Sequence, residues 1–384
     1  MKVLHVYRTY FPDPPGGLQE AIRQICLGTR KFGVEPSVMT LSPQPIPGDV
    51  RLPEARVWRE RSWLAPASCD LGGISAFRLF AKRAAEADVL HFHFPWPFAD
   101  LLNILDVARR PKVMTYHSDI VRQRTLSVLY GPLMRRTLNS MDAVVATSPA
   151  YIRTSSVLRS IVPSDKVKAI PLGIRDYVTE CSAEQSARGI TEGILHRLNL
   201  PAGRFVLALG VLRYYKGLHT LIEAASQIDC PIVIAGSGPE EGALKALTHS
   251  RQVSNVIFAG QVSEEEKRDL LAGCALFALP SQVRSEAFGM VLVEASMFGK
   301  PMVCCEIGTG TSFVNVNGET GLVVPPESSG DLASAINKLI GDDDLAKKMG
   351  LAARARYESL FSGEAQGRAY SALYKEVCER HNAG

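Results

Sequence analysis

No stretch of this sequence stays apolar for long. The longest run, Phe205-Val-Leu-Ala-Leu-Gly-Val-Leu212, is about half of what a membrane span requires. The first residues, Met1-Lys-Val-Leu-His-Val-Tyr7, run into Arg8 and then Pro12, Pro14 and Pro15, and they contain no apolar core of a secretory leader. CxxC spacing is also missing. The eight cysteines (Cys26, Cys69, Cys181, Cys230, Cys274, Cys304, Cys305 and Cys378) sit mostly in apolar runs, and they read as reduced, small buried side chains of a cytoplasmic protein. There is no GxGxxG fingerprint, and no fixed repeat of about 20–50 residues that would signal a solenoid. A large excess of one charge is lacking too: 43 basic residues stand against 39 acidic, a formal +4. With 46% hydrophobic and 21% charged residues, disorder is excluded as well.

What is present has two parts. The small net charge hides a division: before residue 190 there are 25 Lys+Arg and 17 Asp+Glu, giving +8, and after it 18 and 22, giving −4. At 384 residues the chain can hold two full cores. Short apolar runs alternate with amphipathic stretches, the pattern of parallel sheets covered by helices. In the front half, strands are expected at 3–7, 37–40, 89–92, 113–117, 143–147 and 168–170, with a helix over 18–32. A second series begins near Arg204, with strands at 205–209, 232–235, 256–258, 276–278, 302–304 and 321–323. Between them, 171–200 is poor in apolar residues and carries Pro171-Leu-Gly173, so the linker is placed there. A long amphipathic helical tail runs from Asp344 to His381. The fold class is therefore α/β, with two doubly wound domains. Sheets of this kind bind ligands beyond the carboxyl ends of their strands.

Several motifs fall at such ends. In Ser285-Glu-Ala-Phe-Gly-Met-Val-Leu-Val-Glu-Ala295, Glu286 lies in a loop and Glu294 on an otherwise apolar helix. One reading is a helix-terminal acid plus an exposed glutamate. The other gives the backbone N–H groups of Ala287, Phe288 and Gly289 to phosphate or sugar oxygens, and the two carboxylates to hydroxyls. Gly210-Val-Leu-Arg-Tyr-Tyr-Lys-Gly217 puts Arg213 and Lys216 in one strand-to-helix loop, where they are either solvated or convergent on a diphosphate. Gly236-Ser-Gly238-Pro239 is a tight turn that can bring backbone close to a nucleotide. At the first such turn, Gly16-Gly17 either starts a helix or lets a ligand approach. His117 ends a strand and is either structural or part of the site. His91-Phe-His93 has no evident third ligand, so packing or an acceptor wall is preferred to a metal. Asp342-Asp-Asp344 reads as a helix cap.

Taken in order, these motifs resemble those of family 4 retaining glycosyltransferases with the GT-B fold, over essentially the whole chain. The resemblance implies two Rossmann-like domains facing a central cleft: 1–180, an acceptor-binding domain completed by 364–384, and 190–363, a donor-binding domain. It implies that Arg213 and Lys216 neutralise the donor diphosphate and that Glu294 binds ribose. Glu286, with the backbone of Ala287, Phe288, Gly289, Met290 and Val291, holds the sugar. His117 sits beside the anomeric centre, Gly16 and Gly17 border phosphate and acceptor, and Gly236 and Gly238 line the nucleotide. No metal or other cofactor is implied beyond the nucleotide-sugar substrate, and no nucleic-acid partner.

The start of the chain and Glu306-Ile-Gly-Thr-Gly-Thr-Ser312 are similar to bacterial O-antigen mannosyltransferases. That similarity implies transfer of mannose or a related hexose from a GDP-sugar to an undecaprenyl-diphosphate-linked glycan. A UDP-sugar donor and a GT-B sugar-nucleotide 2-epimerase remain as alternatives. Arg122, Arg124, Arg135 and Arg136 interleave with Leu126, Val128, Leu129, Tyr130, Leu133 and Met134. Such a stretch either lies on an anionic membrane, placing the enzyme on the inner face of the cytoplasmic membrane, or packs on the sheet.

Overall fold

The computed structural model describes residues 1–13, 16–65, 69–119, 124–179 and 193–383, with backbone alone over 124–129. The candidate membrane residue Arg122, the side chains of Arg124, Leu126, Val128 and Leu129, and Cys181 therefore lie outside the description. The chain separates into two units, Met1–Arg175 with Ser362–Gly384, and Asp176–Phe361.

The first unit is built on a sheet of β1 (Lys2–Val6), β2 (Glu35–Ser42), β3 (Asp49–Arg51), β4 (Arg56–Leu64), β5 (Leu71–Gly72), β6 (Val89–Phe94), β7 (Lys112–Tyr116), β8 (Ala143–Ala146) and β9 (Val167–Ala169). The order is β3-β4-β2-β1-β6-β7-β8-β9, with β5 on β4. All pairs are parallel except β3 and β5 against β4. Strands β3 to β5 were not foreseen, because Arg56-Val-Trp-Arg-Glu-Arg-Ser-Trp-Leu64 alternates charge with apolar residues. The fold accepts this one strand in from its sheet edge by burying Arg59, which donates to Asp13 at 2.8 Å and to Ser42 Oγ at 2.8 Å.

One face of the first sheet is covered by the C-terminal helix, Gly363–Ala383. Its Tyr370, Leu373, Tyr374 and Val377 bury against Val3, Val89 and Val113. The helix also crosses the helix Gly17–Arg30 at two glycines: a Cβ on Gly28 would lie 2.3 Å from Gly363 O, and one on Gly367 would lie 2.3 Å from the Gly28 backbone. The chain leaves and re-enters this unit at one point, where Gly363 N–H donates to Ile174 O at 2.8 Å.

The second unit has β10 (Val206–Leu209), β11 (Ile232–Ala235), β12 (Val256–Gly260), β13 (Leu276–Leu279), β14 (Met302–Cys305) and β15 (Gly321–Val324). They run parallel in the order β12-β11-β10-β13-β14-β15. That is the doubly wound arrangement with its switch point between β10 and β13. The unit begins at Asp176, earlier than the linker reading placed it, because Asp176 pairs with Arg354 at 2.5 Å within the same unit. The expected helical tail is present, in two helices. Helix Asp343–Arg356, capped by Asp342 through its bond from Leu345 N–H, ends in a π-turn at Tyr357–Phe361 before the C-terminal helix begins. Among the described residues, no helix is long and apolar enough to cross a membrane.

Candidate active site

In the second unit, the loops that follow β10 and β13 flank the switch point and pack backbone to backbone. Gly217 has φ +64°, and a Cβ there would sit 2.0 Å from Pro280 O. Gly236 (φ +126°) has the same relation to Gly210 O at 2.1 Å, so only glycine closes these turns. The result brings two sequence-selected residues together. Lys216 Nζ donates to Glu286 Oε2 at 2.5 Å, and both side chains are nearly buried. Ser281 Oγ reaches the same carboxylate oxygen at 3.4 Å. A lysine held this way has its ammonium at a fixed point, and removing either partner would strand the other in a poorly solvated site.

Arg213, three residues before Lys216, is exposed, and its guanidinium makes no bond among the described residues. Gly289 (φ +82°) starts the helix Met290–Met297, on which Glu294 lies. Glu294 accepts from Lys267 Nζ at 2.9 Å, and Lys267 also reaches Glu264 at 2.8 Å. Burial alone would lower the Lys267 ammonium, but its two carboxylate neighbours outweigh that and hold it well above its usual value. Gly238 is fixed against Leu212 O, 2.4 Å from where its Cβ would be.

In the first unit, period-two alternation aligns polar residues on the face that carries Val3, Val89 and Val113. His5 lies beside His91 in the β1–β6 register, and His93 beside Thr115 in β6–β7. His117 follows two residues after Thr115. His5 Nδ1 is 3.0 Å from His93 Nε2, and His93 Nδ1 is 3.1 Å from His117 Nε2. His91 is held on both sides, by Tyr374 OH at 2.7 Å and Thr115 Oγ1 at 2.7 Å, and Thr115 in turn by Tyr370 OH at 2.8 Å. Burial lowers all four imidazoles, His5 to about 3, His117 to about 4, and His91 and His93 well below 6.5. They are neutral at pH 7.

His5, His91 and His93 offer nitrogens within 4.8 Å of one another, which could hold a cation. Yet the nitrogens of His91 and His93 are already bonded to protein groups, and of the six ring nitrogens only His5 Nε2 lacks a partner among the described residues. The donor set thus fits a hydrogen-bonded lattice better than a metal. Gly16 caps the helix Gly17–Arg30 and donates to Gln19 Oε1 at 3.0 Å. A Cβ on Gly17 would meet nothing within 4 Å, so packing places no demand for glycine there.

Residues 15–176 match the family described as Glycosyltransferase Family 4, and residues 197–356 match Glycosyl transferases group 1. The chain is 43% identical to D-rhamnosyltransferase WbpZ of Pseudomonas aeruginosa, over 94% of this chain and 92% of that one. This chain is a family 4 glycosyltransferase. It is also 37% identical to O-antigen chain mannosyltransferase C of Escherichia coli, over 99% of both. Among solved structures it is similar to sucrose-phosphate synthase from Thermosynechococcus elongatus, with a TM-score of 0.74, 21% identity and 99% of each chain covered. The fold is GT-B.

Sequence reasoning about this glycosyltransferase missed several neighbours of the site. Thr309 Oγ1 donates to Glu286 O at 2.7 Å and Gly310 N–H to Ala287 O at 2.9 Å, so Gly-Thr-Gly-Thr311 supports the Glu286 loop. Its crowding of small residues was the available signal. Lys267 gave none, since a lysine in Glu264-Glu-Glu-Lys267 looks like a solvated helix face. Gln282, buried beside Gly217, has both amide atoms unpaired among the described residues.

Proposed function

We propose that this glycosyltransferase moves mannose or a related hexose from a GDP-sugar to a hydroxyl of a lipid-linked glycan, with retention, in O-antigen synthesis. One observation carries the reading: two relatives at 37% and 43% identity, matched over more than nine-tenths of each chain, are a mannosyltransferase and a D-rhamnosyltransferase. D-Rhamnose is 6-deoxymannose, so both names denote sugars of one ring configuration.

In this reading the second unit takes the donor. Arg213 and Lys216 neutralise its diphosphate, Glu294 takes the ribose, and Gly236 and Gly238 give the nucleotide close backbone. Glu286 and the backbone of Ala287, Phe288, Gly289, Met290 and Val291 hold the sugar. The first unit takes the acceptor, with Gly16 and Gly17 at its border and His117 on the transferred sugar. The bond from C1 to the β-phosphate oxygen breaks, and its electron pair goes to the phosphate. The acceptor oxygen bonds to C1 from the same face, and its proton passes to the leaving phosphate. Charge gathers on that phosphate, where fixed cations do what a metal would do elsewhere. An acceptor anchored in lipid places the enzyme peripherally on the inner face of the cytoplasmic membrane, and the basic first unit suits an anionic surface.

A thermal-shift panel of GDP-, UDP-, ADP- and dTDP-sugars tests the donor, followed by transfer to a polyprenyl-diphosphate-linked glycan with the product anomer read by NMR. A shift with GDP-sugars, an α-to-α outcome and an unchanged rate in EDTA are expected. A response to UDP-sugars alone overturns the donor, an inverted anomer overturns retention, and conversion without acceptor indicates an epimerase.

A further inference from the structure

The histidine line of the first unit does more than fill a core, because its links constrain protons. A neutral imidazole carries one N–H and one lone pair. Each link joins Nδ1 of one ring to Nε2 of the next, from His5 to His93 and from His93 to His117. One tautomer choice therefore propagates through all three rings. If His5 Nδ1 donates, His93 Nε2 accepts, His93 Nδ1 donates, and His117 must carry its proton on Nδ1. The reverse choice puts every proton on Nε2 and leaves an N–H at His5 Nε2, a buried atom without a partner among the described residues. An orphaned buried donor is the less tolerated end. The linked rings also lie edge to edge in nearly parallel planes, at 16° between His5 and His93 and 26° between His93 and His117, so their planes are held along with their protons. His91, locked between Tyr374 and Thr115, stacks on His93 at 4.3 Å and braces the line from the side.

We propose that His5 and His93 are positioning residues that hold His117 as its Nδ1–H tautomer, presenting a hydrogen-bond donor at the one ring nitrogen left free. His117 Nδ1 has no partner among the described residues. Which nitrogen of a histidine carries the proton is set by the bond the other one makes, and here that bond comes from two strands deeper in the sheet. The neutral state follows from burial and removes the imidazolium alternative. The inference rests on the reading that His117 contacts the transferred sugar. It adds that this contact is a donated bond, suited to an oxygen lone pair.

The test is a long-range 1H–15N correlation on the full chain with 15N-histidine, recorded without donor, alongside kinetics of three variants. Wild-type His117 should show Nδ1–H. His93→Gln, whose amide both donates and accepts, should keep that form and most of the activity. His93→Phe and His5→Phe keep a ring but break the line. His93→Phe should shift His117 toward Nε2–H and lower kcat roughly 10- to 100-fold, with donor KM changed far less. His117 found as Nε2–H in the wild type overturns the proposal without any variant. So does a folded His93→Phe that retains Nδ1–H and full kcat. Because the spectrum needs no donor, an Nδ1–H result with no use of GDP-sugars sinks only the functional reading. Efficient transfer from Nε2–H sinks only this inference.

Discussion

The two units share one architecture and solve opposite electrostatic problems. Divided at the structural boundary, the first unit holds 27 basic and 17 acidic residues, and the second 16 and 22. On the covered face of its sheet, however, the basic unit lines up four uncharged histidines, bonded to each other or to hydroxyls. The acidic unit has paired charges beside its switch point, Lys216 on Glu286 and Lys267 on Glu294. Net charge and site charge are thus set independently. The first is spread over a solvated surface, where water screens it. The second is confined to groups whose partners are chosen one by one.

The sharpest way to separate the units is acid. An unfolded imidazole takes a proton below about 6.5, whereas the four buried ones do not until far lower. Between these values the unfolded chain binds more protons, so the histidines' contribution is complete above about 6.5 and falls with pH. The loss is about 1.4 kcal/mol per histidine per pH unit. Asp100, raised by burial to about 7, works the other way, since its contribution fades as pH rises toward that value, but it is one group against four. By pH 4.5 the first unit should unfold while the second persists. Calorimetry that finds the second unit melting first, or no change, breaks the comparison.

Next in size, Lys216→Ala should cost about 100- to 1000-fold in kcat/KM, as loss of one fixed charge-stabilising group does. Initial rates of sugar transfer measure it, and near-normal turnover removes Lys216 from the diphosphate site. Gly367→Val should then destabilise the first unit by roughly 1–3 kcal/mol, because its side chain meets the Gly28 backbone. The melting of the second unit should not move. Smallest, Tyr374→Phe should cost the first unit about 1 kcal/mol, by leaving His91 Nδ1 unpaired. Urea unfolding with an unchanged midpoint would show that the tyrosine hydroxyl contributes nothing.

The second unit was the easier to read. Its six strands are short apolar runs with glycine punctuation, and its Arg213–Lys216 and Glu286–Glu294 pairs stand close in sequence, the first three residues in the loops after β10 and β13 and Glu294 on the helix that follows. The first unit hid more. Strand β4 carries Arg56, Arg59 and Arg61, and local pattern cannot show that Asp13, more than 40 residues away, neutralises the middle one. His5 looked like one more residue of an apolar strand, and its link to His93 exists only through the β1–β6 pairing. Glu294's partner Lys267 was hidden for the same reason: an ion pair across helices leaves no periodicity.

The C-terminal helix has a consequence for how the protein is made. Synthesis runs from residue 1, and domains generally fold in that order as they emerge. Here Tyr370, Leu373, Tyr374 and Val377, which cover Val3, Val89 and Val113, are translated after the entire second unit. The unit begun first is therefore finished last. On the ribosome its nascent sheet waits, one face and its histidines uncovered, until the strands and helices of residues 176–361 have been made.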